Sequence, residues 1–225
     1  MRTKNILYST VISGAFVTGI LFSSCIKNPN EASSPGYNEK NISLSLSPSE
    51  YVAWVRNIDN GLRKEKTIED LTFSVQYKPY PYIVCLEEKK NTLADSIVKN
   101  RISGLDGMQY FDLKIALNAS QGELLKYKAG NSYEYDRRVK YFAFEMQKDI
   151  RLLDGTDTLP CALFHFERTY DVAPYSTFLL GFTPGKDARS EEKTLIFYDR
   201  TFGKGTVKFT FRNIELTNIP KLKTL

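Results

Sequence analysis

The only histidine of the chain, His165, lies next to a carboxylate in the segment Phe164-His165-Phe166-Glu167. Side chains alternate along a strand, so His165 and Glu167 share one face and the two phenylalanines share the other. A histidine and a carboxylate spaced in this way can bind a metal ion together, but no second histidine exists to complete a usual site. We therefore expect His165 and Glu167 to belong to a ligand or partner surface, with no metal, cofactor or catalytic role.

Two cysteines, Cys85 and Cys161, are the candidate nucleophiles. Cys161 precedes His165 by four residues on the same predicted strand face, about 13 Å away at 3.3 Å per residue, so the two side chains cannot touch. Nothing around Cys85 resembles a protease or transferase signature. Both cysteines have apolar neighbours, and two alternatives stay open for them: a disulfide between them, which an oxidising compartment permits, or two buried free thiols.

The aromatic segment Lys78-Pro79-Tyr80-Pro81-Tyr82 is the best candidate for a binding surface. Its two prolines predict a rigid turn that exposes Tyr80 and Tyr82. Exposed aromatic rings stack on sugars or on the side chains of a partner protein. The sequence therefore predicts that these two tyrosines contact a ligand.

Two further signals for chemistry are weak. Gly203-Lys204-Gly205-Thr206 lacks the spacing of a phosphate-binding loop and predicts a hairpin turn. The carboxylates near residue 155 show no alternating Asp/Asn pattern of a calcium loop. The sequence thus contains no coherent catalytic set.

Short helices are predicted near the start of the folded part. Ser47 begins a capping box that is followed by apolar residues at helical spacing, and Gly61 ends that helix. Thr92 begins a second capping box, which predicts a helix over about 93–103.

Alternating apolar and polar residues predict strands over most of the remaining chain. The predicted strands are 71–77, 111–117, 139–153, 158–168, 176–182, 194–198 and 207–211. Turn residues such as Asp154-Gly155 separate neighbouring strands and favour antiparallel pairing. The predicted fold is a β-rich α+β domain over 44–225, an antiparallel β-sandwich or curled sheet with about two short N-terminal helices.

The N-terminus has the pattern of an export signal. Two basic residues precede a mostly apolar stretch over 6–22, which ends in Phe22-Ser23-Ser24-Cys25. This ending resembles the lipobox of Bacteroidota lipoproteins, although an ordinary secretory signal with an incidental cysteine is the alternative. The resemblance implies a lipoprotein signal peptide over 1–24 and a lipid on Cys25, hence anchoring to the outer membrane, with the periplasmic or external side left open.

Residues 25–43 are rich in Asn, Ser, Pro, Glu and Lys, and they predict a flexible tether. The formal charge of the whole chain is +5. Removal of residues 1–24 would remove two basic residues and leave 29 basic against 26 acidic ones, or +3. Such a mild excess does not indicate a nucleic-acid partner.

Four stretches together resemble a group of uncharacterised Bacteroidota lipoproteins: SPSEYVAWVRNIDNGL, FSVQYKPYPYIVCLEE, LPCALFHFERTY and LIFYDRTFGKGTVKFTF. The resemblance covers most of the mature chain and implies location and domain unity, but no activity. We expect a non-catalytic binding or assembly module of the cell envelope, with another envelope protein as partner. A glycan-binding accessory protein and an envelope hydrolase are the alternatives.

Overall fold

The computed structural model describes residues 44–105, 107–118, 122–170, 172–185 and 192–225. These residues fall within one compact unit, Ile42–Leu225. The predicted signal peptide, Cys25 and the predicted tether lie outside the described residues. Within the described ranges, no helix has the length and apolar character needed to cross a membrane.

Eleven strands and five α-helices are described, together with short 3-10 and π-helical turns. The strands are β1 (Ser45–Leu46), β2 (Arg63–Ile68), β3 (Leu71–Lys78), β4 (Gln109–Leu117), β5 (Ile150–Asp154), β6 (Asp157–Pro160), β7 (Leu163–Glu167), β8 (Tyr175–Phe182), β9 (Glu192–Asp199), β10 (Gly205–Arg212) and β11 (Lys221–Leu222). The helices are α1 (Pro48–Arg56), α2 (Tyr80–Glu88), α3 (Asp95–Leu105), α4 (Ser132–Lys140) and α5 (Asn213–Thr217).

Two antiparallel sheets form the body of the protein. The five-stranded sheet has the order β2-β3-β4-β8-β7, and the four-stranded sheet has the order β10-β9-β5-β6. β1 and β11 form a separate parallel pair. The β-rich α+β prediction is confirmed.

The two sheets share one hydrophobic core. Alternate residues of β4, among them Phe111 and Leu113, are fully buried, as are Phe209 and Phe211 of β10. The Phe111 and Phe211 rings lie 5.6 Å apart between centroids and join one sheet to the other. Strands such as β4 and β10 bury alternate side chains, so the inner faces of the two sheets pack together, as in a β-sandwich.

A second apolar cluster, the helix layer, is built mainly from α1, α2 and α3. α1 begins as predicted: the Glu50 carboxylate accepts hydrogen bonds from the Ser47 backbone N–H at 3.0 Å and from its hydroxyl at 2.6 Å. Tyr51 and Val55, one turn apart, are buried in this layer. Tyr77 contacts both clusters, so the end of β3 joins the helix layer to the sandwich.

The prediction of a strand from 139 is wrong for residues 139–149. α4 continues into a π-helical turn, Tyr141–Glu145, and a 3-10 turn, Met146–Asp149, before β5 begins. Phe142 and Met146 are buried while Phe144 is 75% exposed. In a strand Phe142 and Phe144 would share one face, so the spacing of buried side chains is helical rather than alternating.

The predicted strand 158–168 is divided between the two sheets. β6 pairs with β5 in the four-stranded sheet, and β7 pairs with β8 in the five-stranded sheet. Pro160 ends the first part, since proline has no N–H for a further ladder bond. The Ala162 N–H donates to the Gly181 carbonyl at 2.8 Å where the chain enters the second sheet. This crossover closes one edge of the sandwich.

Candidate binding surface

Tyr82 is not part of an exposed turn, contrary to the prediction. Pro79 and Pro81 flank the first residue of α2, where proline is tolerated because the first N–H groups of a helix have no partner within it. Tyr82 is 3% exposed in the helix layer, and its hydroxyl accepts a hydrogen bond from Arg56 Nε at 3.0 Å. Tyr82 therefore packs within the helix layer and is not exposed as predicted.

Tyr80 is half-buried at the start of α2. Its hydroxyl donates to the Met108 carbonyl at 2.8 Å, and its ring meets the edge of Tyr110 with the centroids 6.3 Å apart. Tyr110 belongs to β4, so Tyr80 borders the five-stranded sheet. The predicted aromatic surface is thus reduced from two exposed tyrosines to one that is half-buried.

His165 and Glu167 lie where the alternation placed them, on the exposed face of β7. Phe164 and Phe166 point the other way and pack against the core, each stacked on Phe178. β7 is the edge strand of the five-stranded sheet. Among the described residues, His165 has no hydrogen-bonding partner and Glu167 no ion pair.

Strand register places His165 and Glu167 in two rows of paired residues, each of which crosses all five strands on the outer face of the five-stranded sheet. One row runs Arg63, Gln76, Asp112, Leu179, His165, and the next runs Glu65, Ser74, Lys114, Thr177, Glu167. We call these the outer rows. Directly paired residues on one face have Cβ atoms about 5 Å apart, so the outer rows bring these polar side chains onto one face, interrupted by the apolar Leu179 and the buried Ser74.

The charges in the outer rows interact with one another. Lys78 Nζ lies 3.0 Å from the Asp112 carboxylate. Burial nevertheless raises the pKa of Asp112, and the negative charge of Glu167 adds to this increase while Lys78 opposes it. Burial likewise lowers the pKa of Lys114, together with the positive charge of Arg63. The ionised forms of two neighbouring side chains are therefore both disfavoured on this face.

The rings of the tyrosines on this surface are partly covered by neighbouring groups. The Lys114 ammonium lies 3.7 Å from the centroid of the Tyr175 ring, which is a cation–π contact. Tyr110 is half-buried against Tyr80. Neither Tyr110 nor Tyr175 presents a fully exposed ring.

The two cysteines are free thiols, so the alternative of a disulfide between them is wrong for this structure. Cys85 lies in the helix layer and Cys161 in the sandwich core. The Cys161 thiol donates to the Leu163 carbonyl at 3.0 Å. Burial raises the pKa of each thiol to about 11, so both are protonated at neutral pH and neither is an activated nucleophile.

This state of the cysteines predicts a labelling pattern. In the mature chain with Cys25→Ser, neither Cys85 nor Cys161 is expected to react with a thiol reagent at pH 7, because both are buried and protonated. Both are expected to react in concentrated urea without any reductant. The absorbance of the coloured group that the reagent releases gives the number of reactive thiols. A count of zero in urea that rises only after reduction would mean that the two cysteines are bridged.

Two buried carboxylates, those of Asp154 and Asp199, have structural roles. The Asp154 carboxylate is buried and contacts Lys193, and it accepts a hydrogen bond from Gln109 Nε2 at 2.7 Å. The turn after β9 is organised by buried Asp199, which accepts hydrogen bonds from several backbone N–H groups of that turn. Within the described part of the chain, no three His, Cys, Asp or Glu side chains come together to form a metal site.

Sequence reasoning missed most of the outer rows. Arg63, Asp112 and Lys114 are separated from His165 by at least 50 residues along the chain, and only pairing of strands brings them together. Alternation did show that Asp112 and Lys114 face away from the core. The order and register of the strands, unlike the direction of their side chains, cannot be read from a local pattern in the sequence.

Comparison of the chain with models of protein families, with curated proteins and with solved structures gives no match.

Proposed function

We propose that the protein is a lipid-anchored, non-catalytic binding or assembly module of the outer membrane, and that it binds another envelope protein through the outer rows. The anchoring part of the proposal rests on the signal-like residues 1–24 and on Cys25 at their end. Residues 25–43 then act as a tether between the lipid and the sandwich.

The observation that carries the binding part is the arrangement of charge in the outer rows. Asp112 and Glu167 place two negative charges near one another, and Lys114 and Arg63 place two positive charges near one another. These side chains project from hydrogen-bonded strands, so the backbone positions that carry them are fixed before a partner arrives. Asp112 is already paired with Lys78 and Arg63 with Glu65, so among the described residues of the outer rows Glu167 and Lys114 are the charges left for a partner. A protein partner with complementary charges would contact them, which gives specificity and steers association.

A protein partner is favoured over a glycan because of the tyrosines. A sugar-binding platform needs free aromatic faces, whereas on this face Tyr80, Tyr110 and Tyr175 are half-buried and Lys114 lies over the ring of Tyr175. The exposed rings of Tyr133, Tyr170 and Tyr198 lie outside the outer rows. A hydrolase needs a general acid or base that is held in position. His165, which has no hydrogen-bonding partner among the described residues, does not meet that need.

The proposal predicts that Glu167→Lys weakens capture of a partner. The tagged, lipidated protein would be crosslinked in cells, purified and analysed by mass spectrometry. We expect one envelope protein in stoichiometric amount with the unchanged chain, and about tenfold less of it with Glu167→Lys, since reversing a charge in a complementary interface costs affinity.

Glu192→Lys is the matched control. Glu192 is an exposed residue at the start of β9 in the four-stranded sheet, and its replacement changes the net charge by the same amount. Recovery of the protein without any stoichiometric partner would contradict the proposed function. Equal recovery of a partner by both variants would place the interface away from the outer rows.

A further inference from the structure

The sandwich has one edge that no crossover closes. Opposite the β6–β7 crossover, the edge strand β2 of the five-stranded sheet lies beside the edge strand β10 of the four-stranded sheet. We call β2 and β10 together the open edge. In the described part of the chain, β2 pairs only with β3 and β10 pairs only with β9, so each strand leaves one side of its backbone without a ladder partner.

A groove of about 420 Å³ lies along the open edge. Its lining includes the basic residues Lys64 and Lys66 of β2 and Lys208 of β10, together with the core residue Phe209. Arg63 and Glu65 also line the groove and pair with each other, so the three lysines give it an excess of positive charge beside an apolar residue. At β2 it adjoins the outer rows, because Arg63 and Glu65 belong both to its lining and to those rows.

Two of these lysines belong to the inner face of their sheet. Lys64 and Lys66 are paired in register with Val75 and Phe73, both of which are fully buried in the core. The Lys66 ammonium lies 5.8 Å from the centroid of the Phe209 ring. Lys64 and Lys66 therefore place positive charge at the edge of the hydrophobic core, in positions where a strand usually carries an apolar side chain.

The positive charge of the groove is only partly neutralised. Lys64 Nζ lies 2.7 Å from the Glu215 carboxylate, which is the one acidic partner of this lysine among the described residues. Lys66 and Lys208 have no acidic partner in that part of the chain. Two cations from opposite sheets are therefore available to a negatively charged ligand.

We propose that the open edge binds an acidic, extended peptide segment, which adds as a strand to β2 and places carboxylates against Lys66 and Lys208. Free backbone groups supply affinity in this mode of recognition, and alternate side chains supply specificity. Lysines on an edge strand also keep two copies of the chain apart, since both copies carry the same charge. The same lysines attract an acidic strand and repel a second copy of the chain.

The test uses the mature chain with Cys25→Ser and a fluorescent peptide that alternates glutamate and valine. We expect saturable binding by anisotropy, weakening as salt is added, and no binding of the matching lysine–valine peptide. Lys66→Gln and Lys208→Gln are each expected to weaken binding about tenfold, which corresponds to 1.4 kcal/mol. Lys148→Gln, which removes an exposed lysine outside the groove, is expected to leave binding unchanged.

Amide hydrogen exchange tests the strand addition directly. The peptide is expected to slow exchange within 63–68, and a peptide with a central proline is expected to lose this effect because proline lacks the N–H. Equal binding of the acidic and basic peptides would overturn the proposal, as would binding that neither lysine variant weakens. Absence of peptide binding, with self-association of the Lys66→Val, Lys208→Val double variant, would show that the lysines serve only to keep edges apart.

Discussion

Replacement of Phe142 by alanine is expected to lower the free energy of unfolding by about 3–5 kcal/mol, the usual loss for a buried phenylalanine. Phe142 is fully buried at the π-helical turn that follows α4. Its ring lies 5.1 Å from that of Phe178, 5.7 Å from that of Phe166 and 6.2 Å from that of Phe202, measured between centroids. Alanine would leave a cavity among these three rings. Urea unfolding followed by circular dichroism measures the loss.

Phe144→Ala is the matched control for this prediction. Phe144 is two residues away in the same turn but 75% exposed, so its replacement is expected to change stability by less than about 0.5 kcal/mol. If residues 139–149 formed a strand, Phe142 and Phe144 would share one face and the two variants would lose similar stability. Equal losses would therefore contradict the helical structure of this segment.

Lys193→Met is expected to cost about 3–5 kcal/mol, because it removes the cation that pairs with a buried carboxylate. Asp154 is 1% exposed and contacts both Lys193 and Gln109. Adding Asp154→Asn to Lys193→Met is expected to restore part of the stability, since the amide oxygen still accepts the Gln109 hydrogen bond and no buried charge remains. Urea midpoints of the single and double variants measure this coupling.

The control for the charge pair is Lys99→Met. Lys99 pairs with Asp95 at 2.6 Å on the exposed surface of α3, where solvent screens the interaction. Its replacement is expected to change stability little, since an exposed ion pair contributes little to folding. A loss for Lys193→Met as small as that for Lys99→Met would mean that water reaches Asp154 in solution.

Local patterns predicted most of the long strands but missed β2, and they predicted the helices unevenly. The alternation in 71–77 corresponds to β3, and the second capping box precedes α3. α2 was missed because two prolines fit a turn and a helix start equally well, and only packing of Tyr82 and its neighbours into the helix layer selects the helix. α4 and the π-helical turn were missed because short apolar runs fit both periods, and the buried position of Phe142 decides between them.

The sequence by itself determined which side chains of the regularly alternating strands face the core, because the side-chain period of a strand is two and Phe111, Leu113, Ile115 and Leu117 of β4 follow it. It also determined that His165 and Glu167 lie together on an outer face. Only the tertiary structure decided that Asp112 and Lys114 lie in the same rows as these two residues, and that Lys66 and Lys208 meet at the open edge. Both arrangements depend on hydrogen bonds or contacts between strands far apart in the chain, and many registers satisfy the same alternation.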